Sequence, residues 1–258
     1  MPGLAMSLKH RAAFPAIGLF LLLLTPARAA VADAALADLC AVPSEFSAEI
    51  KAKLPRLAER IKAGQAVKIA AVGGSSTAGA AASSPSRTYP HQLEDDLKAR
   101  HPGLQITVLN RGAPRESAEE MVQRIEREVI PENPDLVLWE TGITDAVRGI
   151  NPDAFTDAVQ SGIDKLRRHN IDIILIDMQY SRRITSVIDF ERYLDALHGA
   201  ADVNGLYIFP RYEIMAHWSE SGRFDFDNVP ENDRANQAAM LYSCIALHLA
   251  DAIDSATR

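Results

Sequence analysis

Val67-Lys68-Ile69-Ala70-Ala71-Val72-Gly73-Gly74-Ser75-Ser76-Thr77-Ala78-Gly79 is the stretch on which the reading of this chain turns. It begins as a short apolar run of the kind shown by a strand buried on both faces. The glycine pair allows a sharp turn. The serines follow where backbone N–H groups of a helical turn can face an anion. A serine so placed can be a nucleophile, a donor that cradles a phosphate, or a helix cap. The stretch is not a P-loop, because no lysine follows at the needed spacing. Nor is it the G-x-S-x-G elbow of the α/β-hydrolases. The small, polar segment 78–86 reads as a surface loop after the strand.

Outward from this stretch the same alternation repeats. Helices are expected at about 44–63, 88–100, 117–129, 152–169, 187–201, 212–219 and 233–253. Strands are expected at 67–72, 105–109, 135–140, 172–177 and 206–210. In the first helix Ser44 can cap, Ile50, Leu54, Leu57 and Ile61 recur at helical spacing, and Gly64 stops the pattern. Pro55 should kink that helix or split it. Five apolar runs separated by amphipathic helices imply an α/β fold, a three-layer α/β/α sandwich around a five-stranded parallel sheet. In such sheets a site lies at the C-terminal edges of the strands. There is no internal repeat.

The ends bound the domain. Lys9 and Arg11 precede an uncharged apolar run from Ala12 to Leu24, and Ala27-Arg28-Ala29 offers small residues around a cleavage point. This is the layout of a secretory signal peptide over 1–29, leaving 30–258 as one domain that is secreted or periplasmic. The run is short for a membrane span. The chain has 258 residues and a formal net charge of −7. Removal of 1–29 takes away bases and no acid, so no basic stripe remains for a nucleic acid backbone. Cys40 and Cys244 lie near opposite ends, and an oxidising compartment favours a disulfide between them. Their spacing matches no metal site, and no cofactor is called for.

Four ordered blocks carry a resemblance. Gly73-Gly74-Ser75-Ser76-Thr77 resembles the Gly-Asp-Ser-Leu-Thr block of the SGNH (GDSL-type) hydrolases, with Ser75 in the nucleophile's place. Asn110-Arg111-Gly112 resembles their second block, whose glycine N–H serves the oxyanion hole. Gly142-Ile143-Thr144-Asp145 resembles Gly-x-Asn-Asp, and Asp227-Asn228-Val229-Pro230 resembles Asp-x-x-His. The resemblance spans residues 30–258 and implies the flavodoxin-like SGNH fold and an ester hydrolase. By the same resemblance Ser75 is the nucleophile, Asp227 the acid of the triad, and Gly112 and Thr144 the oxyanion positions. The implied partner is an ester-bearing glycan or lipid.

The departures matter as much. Pro230 stands where the family has its histidine, and a proline cannot take the serine's proton. Thr144 stands where the family has an oxyanion-hole asparagine, and Arg115 follows Pro114 where a second glycine is common. Loss of the base from a serine triad costs on the order of a million-fold in turnover, and loss of one oxyanion donor roughly 100- to 1,000-fold. His91, His217 and Glu231 are the candidate substitute bases, although both histidines read first as packing or surface residues. Arg182-Arg183 reads as a solvated pair at the binding edge and Trp139 as core. Two functions follow from this balance: an atypical ester hydrolase, or a silent SGNH-like protein that holds a glycan or partner protein in the cleft.

Overall fold

The computed structural model describes residues 36–46, 50, 52–186 and 188–258. The expected signal peptide over 1–29 lies outside the described residues. Five strands form one parallel sheet: β1 (Val67–Gly73), β2 (Ile106–Gly112), β3 (Leu136–Glu140), β4 (Asp172–Ile176) and β5 (Tyr207–Phe209). Their order is β2-β1-β3-β4-β5. The register sets Gly73 beside Gly112, Val72 beside Trp139, and Glu140 beside Ile176.

The strands are apolar on both faces because both faces are covered. Ile69, Leu136, Leu138, Ile174 and Ile176 point to one face. There they pack against helices α1 (Pro55–Lys62), α2 (Tyr89–Arg100) and α8 (Arg234–Ala256). Ala70, Val72, Val137, Trp139, Ile173 and Leu175 point to the other. There they meet α3 (Ala118–Arg124), α5 (Pro152–Arg168) and α6 (Glu191–Asn204). The α/β/α sandwich and its five parallel strands are as the sequence implied, and Trp139 is fully buried. Two further helices stand at the C-terminal ends of strands, α4 (Ile143–Arg148) after β3 and α7 (Arg211–Glu220) after β5. Cys40 and Cys244 are joined in a disulfide that ties the N-terminal segment to α8.

Several boundaries differ from expectation, each for a local reason. The first helix does not run over 44–63. Ser44–Phe46 is a single 3-10 turn, and α1 starts at Pro55. Proline is favoured at the first helical position, where its missing N–H has no intrahelical partner to lose. Residues 47–49 and 51 of that expected helix lie outside the described residues. Strand β2 runs three residues further than the apolar run, through Asn110-Arg111-Gly112, because it stays paired with β1 along its whole length. The helix expected over 117–129 is α3, held by a Ser117–Glu120 capping box, followed by a π-helical turn over Ile125–Val129. The helix expected at 187–201 is α6, which lies three to four residues further on. The helical pattern in the sequence does not extend to α4, because its six residues are too few to show periodicity.

Candidate functional site

In the order β2-β1-β3-β4-β5 the winding reverses between β1 and β3, and the C-terminal edges of those two strands open a crevice. Both sequence blocks that follow those strands meet there. After β1 the chain makes one helical turn, Ser75–Ala78, which Gly79 closes in the left-handed region at φ 94°. Ser75 is exposed at the head of this turn, whereas Ser76 and Thr77 are buried beneath it. Gly112 lies directly behind the turn: a Cβ there would sit 2.2 Å from the Ala78 nitrogen, so no larger residue fits without moving the turn.

A charged network lies under Ser75. Glu140, the last residue of β3, and Arg211, the first of α7, form an ion pair at 3.0 Å with both side chains almost wholly buried. The other Glu140 oxygen accepts the Thr77 hydroxyl proton at 2.5 Å. Since Thr77 has one proton, the Tyr89 hydroxyl 3.1 Å away donates to it. Burial and the Glu140 charge push the Tyr89 phenol upward, which keeps that proton in place. Arg211 Nη2 donates to Ser76 Oγ at 2.6 Å and to Gln179 Oε1 at 3.3 Å. Two buried polar atoms, Arg211 Nε and the hydroxyl of Thr141 next to Glu140, have no hydrogen-bond partner among the described residues. Unsatisfied buried groups of this kind concentrate where a structure serves something other than stability.

Two hollows reach Ser75. One, of about 350 Å³, is walled by Gln179, Tyr180, Phe226, Leu241 and Arg234. The other, of about 300 Å³, is walled by Arg115, Glu140, Ile143, Thr144 and Val147. A third hollow of about 420 Å³ lies behind the turn and does not include Ser75. Thr144 and Arg115 therefore share one hollow with Ser75. Gly112 packs against the turn, but its N–H donates to Asn110 Oδ1 at 2.9 Å, and Asn110 Nδ2 donates to the Thr77 carbonyl at 2.8 Å. Asp145 is buried, and both its oxygens accept the Ala118 N–H at 3.1 Å, which fixes α4 to the start of α3. Burial is the largest influence on that carboxyl and raises its pKa.

The Asp227-Asn228-Val229-Pro230 block sits at the rim. Asp227 is half-buried, with Ser181 Oγ 3.5 Å from its Oδ1. Val229 reaches the wall of the 350 Å³ hollow. Pro230 and Glu231 are exposed at the turn that enters α8. Among the described residues no histidine lines either hollow that contains Ser75. His91 lines the hollow behind the turn, 3.8 Å from Asp95. His217 lies on α7, outside both walls. Arg182 and Arg183 are exposed, as a solvated pair should be.

These features fit the comparison with known proteins. The model of the Non-GDSL lipase-like family matches residues 39–258. The chain belongs to that family. No curated protein matches it. Among solved structures, a two-domain esterase (CEX) active on acetylated mannans is 20% identical, with a TM-score of 0.65 over 83% of this chain and 56% of that one. The acetyl xylan esterase AlAXEase is 20% identical, with a TM-score of 0.58 over 72% of this chain and 100% of that one. A catalytic mutant of Axe2, an acetylxylan esterase from Geobacillus stearothermophilus, is 17% identical, with a TM-score of 0.57 over 71% of this chain and 94% of that one. These likenesses show that this family member has the fold of the SGNH hydrolases.

Neither Glu140 nor Arg211 belongs to the blocks that mark the site in the sequence. One signal was present: an acid ending the otherwise apolar run Leu136–Trp139 on a central strand, where a charge is costly unless paired. Arg211 gave none, since its partners are distant in the chain. His198 Nε2 lies 3.1 Å from an oxygen of the buried Asp177, whose other oxygen accepts the Tyr212 N–H at 2.7 Å. The bond to Asp177 raises the His198 pKa, while burial raises that of Asp177. This pair fastens the start of α7, one residue from Arg211.

Proposed function

We propose that this chain is a secreted carboxylic ester hydrolase that uses Ser75 on acyl esters of glycans, with slow turnover. The observation that carries the reading is the exposed Ser75 at the β1/β3 crevice, set between two hollows large enough for the two halves of an ester. Ser75 Oγ attacks the acyl carbonyl, its proton leaves with the departing sugar hydroxyl, and water then releases the acid from the acyl-serine. Thr144 stands beside Ser75 with a hydroxyl that can donate to the carbonyl oxygen as charge develops there. Gly112 serves the same oxygen only if its N–H leaves Asn110. The buried Arg211–Glu140 pair positions the turn through Ser76 and Thr77. The disulfide supports passage through an oxidising compartment, as the signal peptide over 1–29 implies.

Slow turnover follows from Pro230, because among the described residues no imidazole lines the walls around Ser75 and none stands by Asp227 to be oriented. The same observation favours a second reading, a cleft that binds its glycan without cleaving it. Two measurements separate them. Labelling by a fluorophosphonate probe that disappears in Ser75→Ala, together with hydrolysis of 4-nitrophenyl acetate, supports the hydrolase. A folded protein that does neither sinks the hydrolase, and glycan binding by that protein then supports the second reading. In Pro230→His a gain of at least about a hundredfold in ester hydrolysis is expected, since general base catalysis contributes roughly 10²–10⁴-fold.

A further inference from the structure

On a chain of net charge −7 the two hollows beside Ser75 have the opposite balance. Their walls hold Arg115, Arg148, Arg211 and Arg234, and one acid, Glu140. Glu140 is spent on Arg211 at 3.0 Å, and Arg148 is paired with Glu120 at 2.9 Å. Arg115 and Arg234 are left exposed, one in each hollow, and neither has an acidic partner among the described residues. Arg115 also holds a left-handed backbone at φ 65°, which a side chain rarely adopts, with its carbonyl taken by Arg148 Nη2 at 2.6 Å. Backbone strain of this kind persists where surrounding contacts impose it, and it gathers at functional sites. The hollow on the Arg234 side adds the rings of Tyr180 and Phe226.

Clefts lined by one sign of charge focus the field and concentrate ligands of the other sign. A guanidinium presents a planar fork of donors that fits a carboxylate or sulfate. We propose that the ester is carried by an anionic glycan, whose charged groups meet Arg115 on one side of Ser75 and Arg234 on the other. The ring walls face the apolar side of a sugar. This deepens the esterase reading and rests on it for the ester, but the anion preference belongs to the cleft whether or not Ser75 turns over.

The test measures binding by the full Ser75→Ala protein, so that hydrolysis does not interfere. The probes are polygalacturonate against xylan for carboxylate groups, and dextran sulfate against dextran for sulfate groups. At least about tenfold tighter binding of one anionic polymer than of its neutral counterpart is expected. That preference should disappear near 1 M NaCl, where the Debye length is about 3 Å. Adding Arg115→Gln and Arg234→Gln should remove it as well. Adding Arg127→Gln and Arg168→Gln instead makes the same charge change on exposed residues away from the cleft, and should keep it. Equal binding of charged and neutral polymers overturns the proposal, and so does an equal loss in both double-arginine variants. Hydrolysis of 4-nitrophenyl acetate by the unsubstituted protein reports on the esterase reading separately. Anion preference without hydrolysis keeps this inference and removes the enzyme; hydrolysis without preference does the reverse.

Discussion

The two ends of the sheet each bury charge, and they do it differently. At the N-terminal end Asp135 is almost wholly buried and accepts the Lys68 N–H, Arg56 Nε and Arg60 Nε at about 3 Å. Its arginines are partly in water, at 19% and 36% side-chain exposure. Asp172 beside it accepts the Leu57 N–H of the first turn of α1. These acids satisfy backbone donors at strand and helix ends, and the cations above them keep some hydration. At the C-terminal end the Glu140–Arg211 pair is almost wholly buried, one guanidinium nitrogen has no acceptor among the described residues, and the partners are side chains around the Ser75 turn. One end seals the fold. The other bears a desolvation cost and leaves a polar atom unmatched, as positions that serve a site do.

The sharpest way to break this contrast is Arg211→Met. It leaves Glu140 buried with only Thr77 as partner, and breaking a buried pair in this way costs about 3–5 kcal/mol. Urea unfolding should show that loss. The companion Glu140→Gln/Arg211→Met removes both charges while a carbonyl oxygen still accepts from Thr77, and should recover at least about half of it. If the double variant is no more stable than the single, the network is not an isolated pair and its weight lies in the Ser76 and Gln179 contacts.

At the wetter end the same experiment gives less. Arg56→Ala removes bonds to Asp135, Asn133 and the carbonyls of His169 and Asn170, and should cost about 1–2 kcal/mol. Arg60→Ala should cost about 0.5 kcal/mol, because its side chain is one-third exposed and Arg56 still holds Asp135. A loss at Arg60 as large as that at Arg211 would erase the distinction between the two ends.

The contrast also marks what the sequence could reveal. Each strand was legible because a parallel sheet covered on both faces demands an unbroken apolar run, a local signal. Ser75 was legible because the glycine pair and the end of that run lie next to it. Blocks two and three were placed for the same reason. The supports beneath Ser75 were not legible, since Thr77, Glu140 and Arg211 meet only when three separate segments converge, and no spacing encodes that meeting. The first helix failed for the opposite reason: its apolar spacing was locally sound, but the pattern crossed Pro55, and the chain started the helix there. Arg115 was visible as a departure in a turn, while the shortage of acids around it could be seen only in the assembled walls.

The smallest expected effect concerns the N-terminal end and its response to pH. Burial raises the Asp172 carboxyl from 3.8 to about 6, against the lowering pull of the Leu57 N–H and of Arg56. A folded-state pKa above the unfolded one means that the group's contribution is fully present below the unfolded value and is lost as pH rises through the folded value. The unsubstituted protein should therefore lose stability from this residue between about pH 4 and 6. Asp172→Asn does not titrate, and its carbonyl oxygen can still accept the Leu57 N–H. Thermal midpoints of the two proteins should lie nearest each other below about pH 3.5 and diverge as pH rises, with the variant ahead and the gap constant above about pH 7. The gap should be small, since the side chain is partly open to solvent. A gap independent of pH would mean that the Asp172 carboxyl has the same pKa in the folded and the unfolded protein, and that this end of the sheet is wetter still than its partly exposed arginines indicate.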